Sequence, residues 1–259
     1  MAEGAAPGHL RAWVAVWRRN AMLWRRLAVA SLAGNFGEPL LYLLALGYGL
    51  GAFVGQIEGM PYVVFLASGI VCSSAMMSAT FEATYSAYTR MAVQGTWEAM
   101  TNTPLEVRDV VLGEVAWAAT KSVISASAIL LVAGALGAVA GWQALWALPV
   151  VALAGLCFAA LAMVVTTLAR GYDSFLFYTT LVITPMLLIS GVFFPTGRMP
   201  AAVRALAEAL PLSHAVAIVR PLMTGTAPAS PLADGAVLAA YAVAATAAAS
   251  LLARRRLES

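Results

Sequence analysis

The sequence predicts an all-α integral membrane protein with six transmembrane helices in one domain. Of its 259 residues 62% are hydrophobic and only 10% are charged, whereas a soluble domain carries about 25% charged residues. Apolar stretches of roughly 18 residues or more recur along the chain, each long enough to cross the ~30 Å hydrocarbon core of a bilayer. What lies between them is too short to fold as a soluble domain. Cys72 and Cys157 both fall inside apolar stretches, which points to packing rather than a disulfide framework.

The first element is amphipathic. His9 to Arg26 reads HLRAWVAVWRRNAMLWRR, with Trp13, Val16, Trp17, Leu23 and Trp24 at helical spacing and arginines between them. This predicts a helix over 9–33 lying in the membrane interface, where indole rings and guanidinium groups both fit. The first apolar run follows these arginines and has no A-x-A end, so no cleavable signal peptide is expected. GNFGEP then turns the chain into a first span over 39–56. Pro39 suits a first helical position, and Glu38 meets the positive helix end. Gly47, Gly51 and Gly55 form a strip that lets another helix approach, while Tyr42 and Phe53 share a face away from it.

Five more spans are expected, over 61–88, 107–139, 145–169, 175–194 and 232–253. The connections near 56–60 and 140–143 are short and lack Lys and Arg. The connection over 197–231 holds five prolines, and its 201–210 piece has helical spacing but cannot span; interfacial or re-entrant helices are expected there. One side carries eleven arginines (11, 18, 19, 25, 26, 90, 108, 170 and 254–256), the other only Arg198, Arg204 and Arg220. The excess places both termini and the loop over 90–106 in the cytoplasm.

That loop contains TWEAMTNTPLEVRD, a polar, proline-broken island in an apolar chain. A short helix over 96–102 is expected, ended by Thr103-Pro104, because proline disfavours helix at the residue before it. Trp97, Met100 and Leu105 give it an apolar edge expected to be exposed, with Glu98 beside it. Such an edge suits docking of another protein; packing on the chain itself is the alternative. Glu82, Glu114 and Lys121 fall inside spans, where ionisable groups pair or face water. Lys121 therefore either pairs with Glu82 or Glu114 or meets an anionic head group. Tyr42, Phe53, Phe193 and Phe194 can stack on sugar rings, gate a path or pack. There is no phosphate-binding loop around the single lysine, no histidine cluster for a metal, and no polar constellation of a membrane-embedded enzyme.

The runs TWEAMTNTPLEVRDVVLGE, FGEPLLYLLALGYGLG and SGVFFP resemble the permease subunits of type-2 ABC exporters, above all the nodulation-factor (lipo-oligosaccharide) exporter group. The resemblance covers nearly the whole chain and implies one transmembrane permease domain that binds no cofactor. ATP and Mg would sit on two copies of a separate ABC ATPase. It implies that Thr96, Trp97, Glu98, Met100, Thr101, Pro104 and Leu105 belong to a coupling helix that contacts this ATPase, and that the 197–231 region narrows an outer gate. The first and fifth spans would line a path at the two-fold axis of a homodimer, with Tyr42, Gly47, Gly51, Phe53, Gly55, Phe193 and Phe194 at the path or interface. The implied setting is the bacterial inner membrane. The implied cargo is a glycolipid, lipo-oligosaccharide or polysaccharide, with a hydrophobic drug as the alternative; no nucleic acid is expected.

Overall fold

A computed structural model describes residues 12–25, 37 and 39–257. Residues 9–11 and 26–33 of the expected interfacial helix, and Glu38, lie outside the described residues. The helices are α1 (Ala12–Arg25), α2 (Pro39–Val54), α3 (Tyr62–Val93), α4 (Thr96–Thr101) and α5 (Val107–Ala135). They continue with α6 (Trp142–Leu168), α7 (Asp173–Ile189), α8 (Ala201–Ala209), α9 (Pro211–Thr224) and α10 (Pro231–Leu257). Four of them, α3, α5, α6 and α10, are long and apolar enough to cross a membrane; α2 and α7 are shorter apolar helices. The fold is an all-α membrane bundle.

Helix α3 is the axis of the bundle. Most of its residues are buried, and α5, α6 and α9 pack around it. It runs for 32 residues, about 48 Å at 1.5 Å per residue, longer than a ~30 Å hydrocarbon core requires. Its small and hydroxyl residues let neighbours close in. A Cβ on Gly69 would sit 2.6 Å from the Val192 carbonyl oxygen, and Ser74 Oγ and Ser125 Oγ of α5 lie 2.8 Å apart.

The glycine strip is approached closely by α3 of the same chain: a Cβ on Gly47 would meet Val63 at 3.1 Å and one on Gly51 would meet Tyr62 at 3.6 Å. Gly55, at φ +69° with nothing near it, ends α2 instead. The chain then reverses in a small hairpin, Gln56–Ile57 against Met60–Pro61, through Glu58 and Gly59, both at positive φ, as such a tight turn requires. The fifth span was expected to reach 194, yet α7 ends at Ile189. Gly191, at φ +78°, turns the chain, so Phe193 and Phe194 lie beyond the helix.

Other ends follow local chemistry. Within α7, Pro185 removes an N–H and crowds the carbonyl four residues back, and the looser π-helical turn Thr179–Ile183 directly precedes this point. Helix α5 begins with a capping box between Glu106 and Asp109. The end of α6 is held by Arg256 of α10, whose Nη1 donates to the carbonyls of Thr167 (2.9 Å) and Ala169 (2.6 Å), a favourable place for a cation. Helices α8 and α9 meet at 85°, with Pro211 opening α9.

Helix α1 crosses α5 at Gly113, where a Cβ would stand 2.5 Å from Val16 Cβ and 2.7 Å from the Trp13 carbonyl oxygen. Neither is the end of a flexible side chain. Gly113→Leu should therefore force α1 off α5 and cost about 1–3 kcal/mol from overpacking. Thermal unfolding in detergent checks this; a wild-type midpoint would mean α1 can be displaced at no cost.

Candidate functional site

The candidate site grows from two acids one helix apart. Glu82 sits on α3 and Glu114 on α5, both buried. Between them lies Arg90. Its Nη2 donates to Glu82 Oε1 at 2.9 Å and to Glu114 Oε2 at 2.5 Å, and its Nε donates to Glu114 Oε1 at 2.9 Å. In a regular α-helix Arg90, eight residues after Glu82, would be turned about 80° away from it. The segments Glu82–Ser86 and Thr89–Val93 are instead wound as π-helix. This i→i+5 winding turns each residue through a smaller angle and brings Arg90 back to the face of Glu82.

Four further groups complete the cluster. Lys121 Nζ donates to Glu82 Oε2 at 2.8 Å, and Trp117 Nε1 donates to Glu82 Oε1 at 3.0 Å. Asn20 of α1 donates to Glu114 Oε2 at 3.0 Å, and Trp97 of α4 donates through Nε1 to Glu114 Oε1 at 3.3 Å. Two acids and two bases balance in charge, and every acid oxygen accepts at least one bond. Nearby, burial lowers the Arg19 pKa while Glu114 opposes that shift. Helix α1, the loop helix α4 and two long helices thus meet at one ion cluster, with Trp17 Nε1 to Thr120 Oγ1 (2.9 Å) pinning α1 further along α5.

This geometry corrects the reading of the polar island. Trp97 is 0% exposed; it faces inward because its indole N–H has a buried carboxylate to meet. Met100 and Leu105 are half-buried and pack on the core. The outward surface consists of Glu98, Ala99, Asn102, Thr103 and Pro104, while Thr96 and Thr101 are half-buried. Gly95, at φ +60°, and the Thr103 hydroxyl, donating to the Met100 carbonyl at 2.6 Å, fix the two ends of α4.

Lys121 pairs with Glu82, not with the Glu114 of its own helix. Glu82 would still keep Arg90 and Trp117 without it, so Lys121→Met should cost about 1.5–3 kcal/mol, the range for a charged hydrogen bond. Thermal unfolding in detergent reads this; normal stability with lost export would instead give Lys121 to the cargo.

A second region lies between α2, α3 and α7. The Tyr42 and Phe193 rings meet edge to face at 6.2 Å, and Phe193 lies 6.1 Å from Phe194. Beneath them is a cleft lined by Ser73, Ser74 and Ser78 of α3 together with Phe81 and Leu187. Ser78 Oγ is buried and has no hydrogen-bond partner among the described residues. Phe53, 90% exposed, stands apart near the far end of α2. The serines escape notice in the sequence because single hydroxyls in an apolar helix carry no periodic signal. Arg90 reads there as a surface charge, and Asn20 as one polar residue among arginines.

The profile of the ABC-2 type transporter family matches residues 11–224. The chain is 52% identical over 221 residues to Nodulation protein J of Rhizobium leguminosarum bv. trifolii, covering 85% of this chain and 84% of that one. It is 48% identical over 245 residues to Nodulation protein J of Rhizobium leguminosarum bv. viciae, covering 95% of each chain. Identity to Nodulation protein J of Bradyrhizobium diazoefficiens is 47% over 251 residues, with 97% and 96% covered.

Proposed function

The chain belongs to the ABC-2 type transporter family, and on that premise we propose that it is the membrane permease of an exporter that moves a lipo-oligosaccharide out of the cytoplasm. The cargo reading rests on its relatives being nodulation proteins and on the serine and aromatic cleft. Hydroxyls and ring faces are the groups that suit sugar. Two copies of a separate ABC ATPase would supply ATP and Mg and dock on the loop over 90–106, with Glu98, Ala99, Asn102 and Pro104 outermost.

The observation that carries the mechanism is the convergence of Trp97, Arg90 and Asn20 on Glu114. Closure of the ATPase pair would push the loop helix, and the ion cluster directly behind it would pass that motion to α1, α3 and α5 together. The proposed topology has six spans, with α2 and α7 as the first and fifth and both termini in the cytoplasm of a bacterial inner membrane. The bent pair α8–α9 would re-enter from outside. A homodimer would close over the faces of α2 and α7, which expose Leu41, Tyr48, Leu181 and Val182. Its support is the serine cleft, because hydroxyls at that depth belong against protein or a water path rather than lipid.

The test is reconstitution. The purified chain alone should hydrolyse no ATP. With its ABC ATPase in proteoliposomes it should hydrolyse ATP and move a fluorescent lipo-oligosaccharide across the bilayer. Turnover by the isolated chain would sink the permease reading, and transport of amphipathic drugs but not of the glycolipid would move it to the drug-exporter alternative.

A further inference from the structure

The polar residues that the ion cluster and the serine cleft leave unused gather where the turn after α7 meets α8, α9 and the start of α10. A pocket of about 230 Å³ lies there, walled by Ser190 and Thr196 of the turn, Ser213, His214 and Arg220 of α9, and Asp234 of α10. Ser190 and Ser213 each hold a buried hydroxyl with no hydrogen-bond partner among the described residues, a state that costs stability and calls for an occupant. The charged groups, by contrast, are met by protein. His214 Nδ1 lies 2.7 Å from Asp234 Oδ1, and Glu208, also in the wall, faces Arg204 at 3.8 Å. Arg220 donates to Ser68 Oγ (2.9 Å) and to the Gly191 carbonyl (2.6 Å), over the ring of Phe65. These pairings all fall within residues 39–257, which are described without a break.

We propose that this pocket is an exit subsite for one neutral sugar residue of the cargo. The proposal rests on the cargo and topology read above, under which the bent pair α8–α9 faces the outside. A sugar ring presents hydroxyls along its edge and C–H groups on its faces. The pocket offers both kinds of surface, with hydroxyl and imidazole groups on one part of the wall and Ala207, Val216 and Ala217 on another. Each serine hydroxyl can donate and accept, as sugar hydroxyls do. The His214 and Asp234 side chains stay 19% and 14% exposed, within reach of such a ring. With the charged groups already met, the wall gives an ionic ligand no advantage. The volume is below the roughly 300–1,000 Å³ of drug-sized sites, so the room admits one ring and not an acyl chain. The turn that supplies Ser190 and Thr196 also carries Phe193, which lines the serine cleft. A sugar leaving that cleft past Phe193 therefore has this pocket one turn of chain away.

The experiment uses the permease–ATPase complex in proteoliposomes with ATP and a lipo-oligosaccharide that carries a photoactivatable diazirine on its terminal sugar. Adducts are mapped by mass spectrometry. They are expected on the segments 190–196 and 207–217 as well as in the serine cleft. The double variant Ser190→Ala/Ser213→Ala should lower the pocket adducts about fivefold for each hydroxyl, the weight of an ordinary hydrogen bond. It should unfold no earlier than the wild type, because these hydroxyls meet no protein group. Ala217→Leu, at an exposed position of α9, fills the room and should abolish the pocket adducts while those in the cleft remain. Adducts in the cleft alone would overturn the subsite and leave the exporter reading standing. Pocket adducts unchanged in both variants would do the same and assign the hydroxyls to water. Earlier unfolding of the serine double variant would make the hydroxyls structural and also overturn the subsite. Absence of adducts anywhere on the chain, together with absent transport, would overturn the exporter reading and the subsite with it.

Discussion

Arg90→Met should be among the most damaging single substitutions in the chain. Glu114 has Arg90 as its only ion-pair partner among the described residues, and the acid side chain is 0% exposed. Removing the guanidinium leaves that carboxylate buried with two neutral donors, Asn20 and Trp97, for a full charge. Breaking such a pair typically costs about 3–5 kcal/mol, a large share of the stability of most proteins. Thermal unfolding in detergent and accumulation in the membrane both read the loss. The double variant Arg90→Met/Glu114→Gln removes the stranded charge and should recover most of it, while Glu82 keeps Lys121. If the double variant unfolds no later than the single one, the damage does not come from an unpaired acid.

Trp97→Ala is the second large effect, and the burial of the ring decides its kind. Deleting a fully buried aromatic side chain costs about 3–5 kcal/mol, and here it also removes a donor to Glu114. The variant should lose stability as a free chain before any ATPase is added. Trp97→Phe keeps most of the volume and loses the N–H, so about 1.5–3 kcal/mol is expected, the worth of a hydrogen bond to a charged group. Glu98→Arg and Ala99→Arg, on the outward surface, should leave the unfolding midpoint unchanged and reduce ATPase recovery in a pull-down. Normal stability of Trp97→Ala with lost ATPase recovery would mean that the ring docks outward on the partner.

The contrast between Trp97 and Glu98 shows what was legible in the sequence. Length, apolar runs and turn residues fix the long helices to within a few positions, because each depends on its own composition. The loop helix was legible for the same reason: Gly95 and Pro104 bound it locally. Which side of that helix faces inward was not. That depends on a carboxylate seventeen residues further on, in another helix. The glycine strip was recognised as a close-approach surface, but periodicity does not say whose helix approaches. Arg90 reads in the sequence only as one of the arginines that orient the chain, because its pairing with Glu82 needs a π-helical winding that residue spacing does not reveal. Lys121 and Glu82 were named as possible partners, and the choice between the two acids awaited the fold.

The sharing of Arg90 between two helices also bears on the order in which the chain is made. On α3, Glu82 and Arg90 bond to each other, so that helix is neutral as soon as it is synthesised. On α5, Glu114 and Lys121 are seven residues apart, about 10 Å along the axis, and each finds its opposite charge on α3 instead. An uncompensated ionisable residue in the centre of a membrane helix costs about 2.5–3.5 kcal/mol on insertion scales. Helix α3 therefore serves as a template that is already in place when α5 emerges from the ribosome. A circular permutation that placed α5 ahead of α3 would keep every contact of the finished bundle, yet leave the nascent α5 waiting in the bilayer with both its charges unmet.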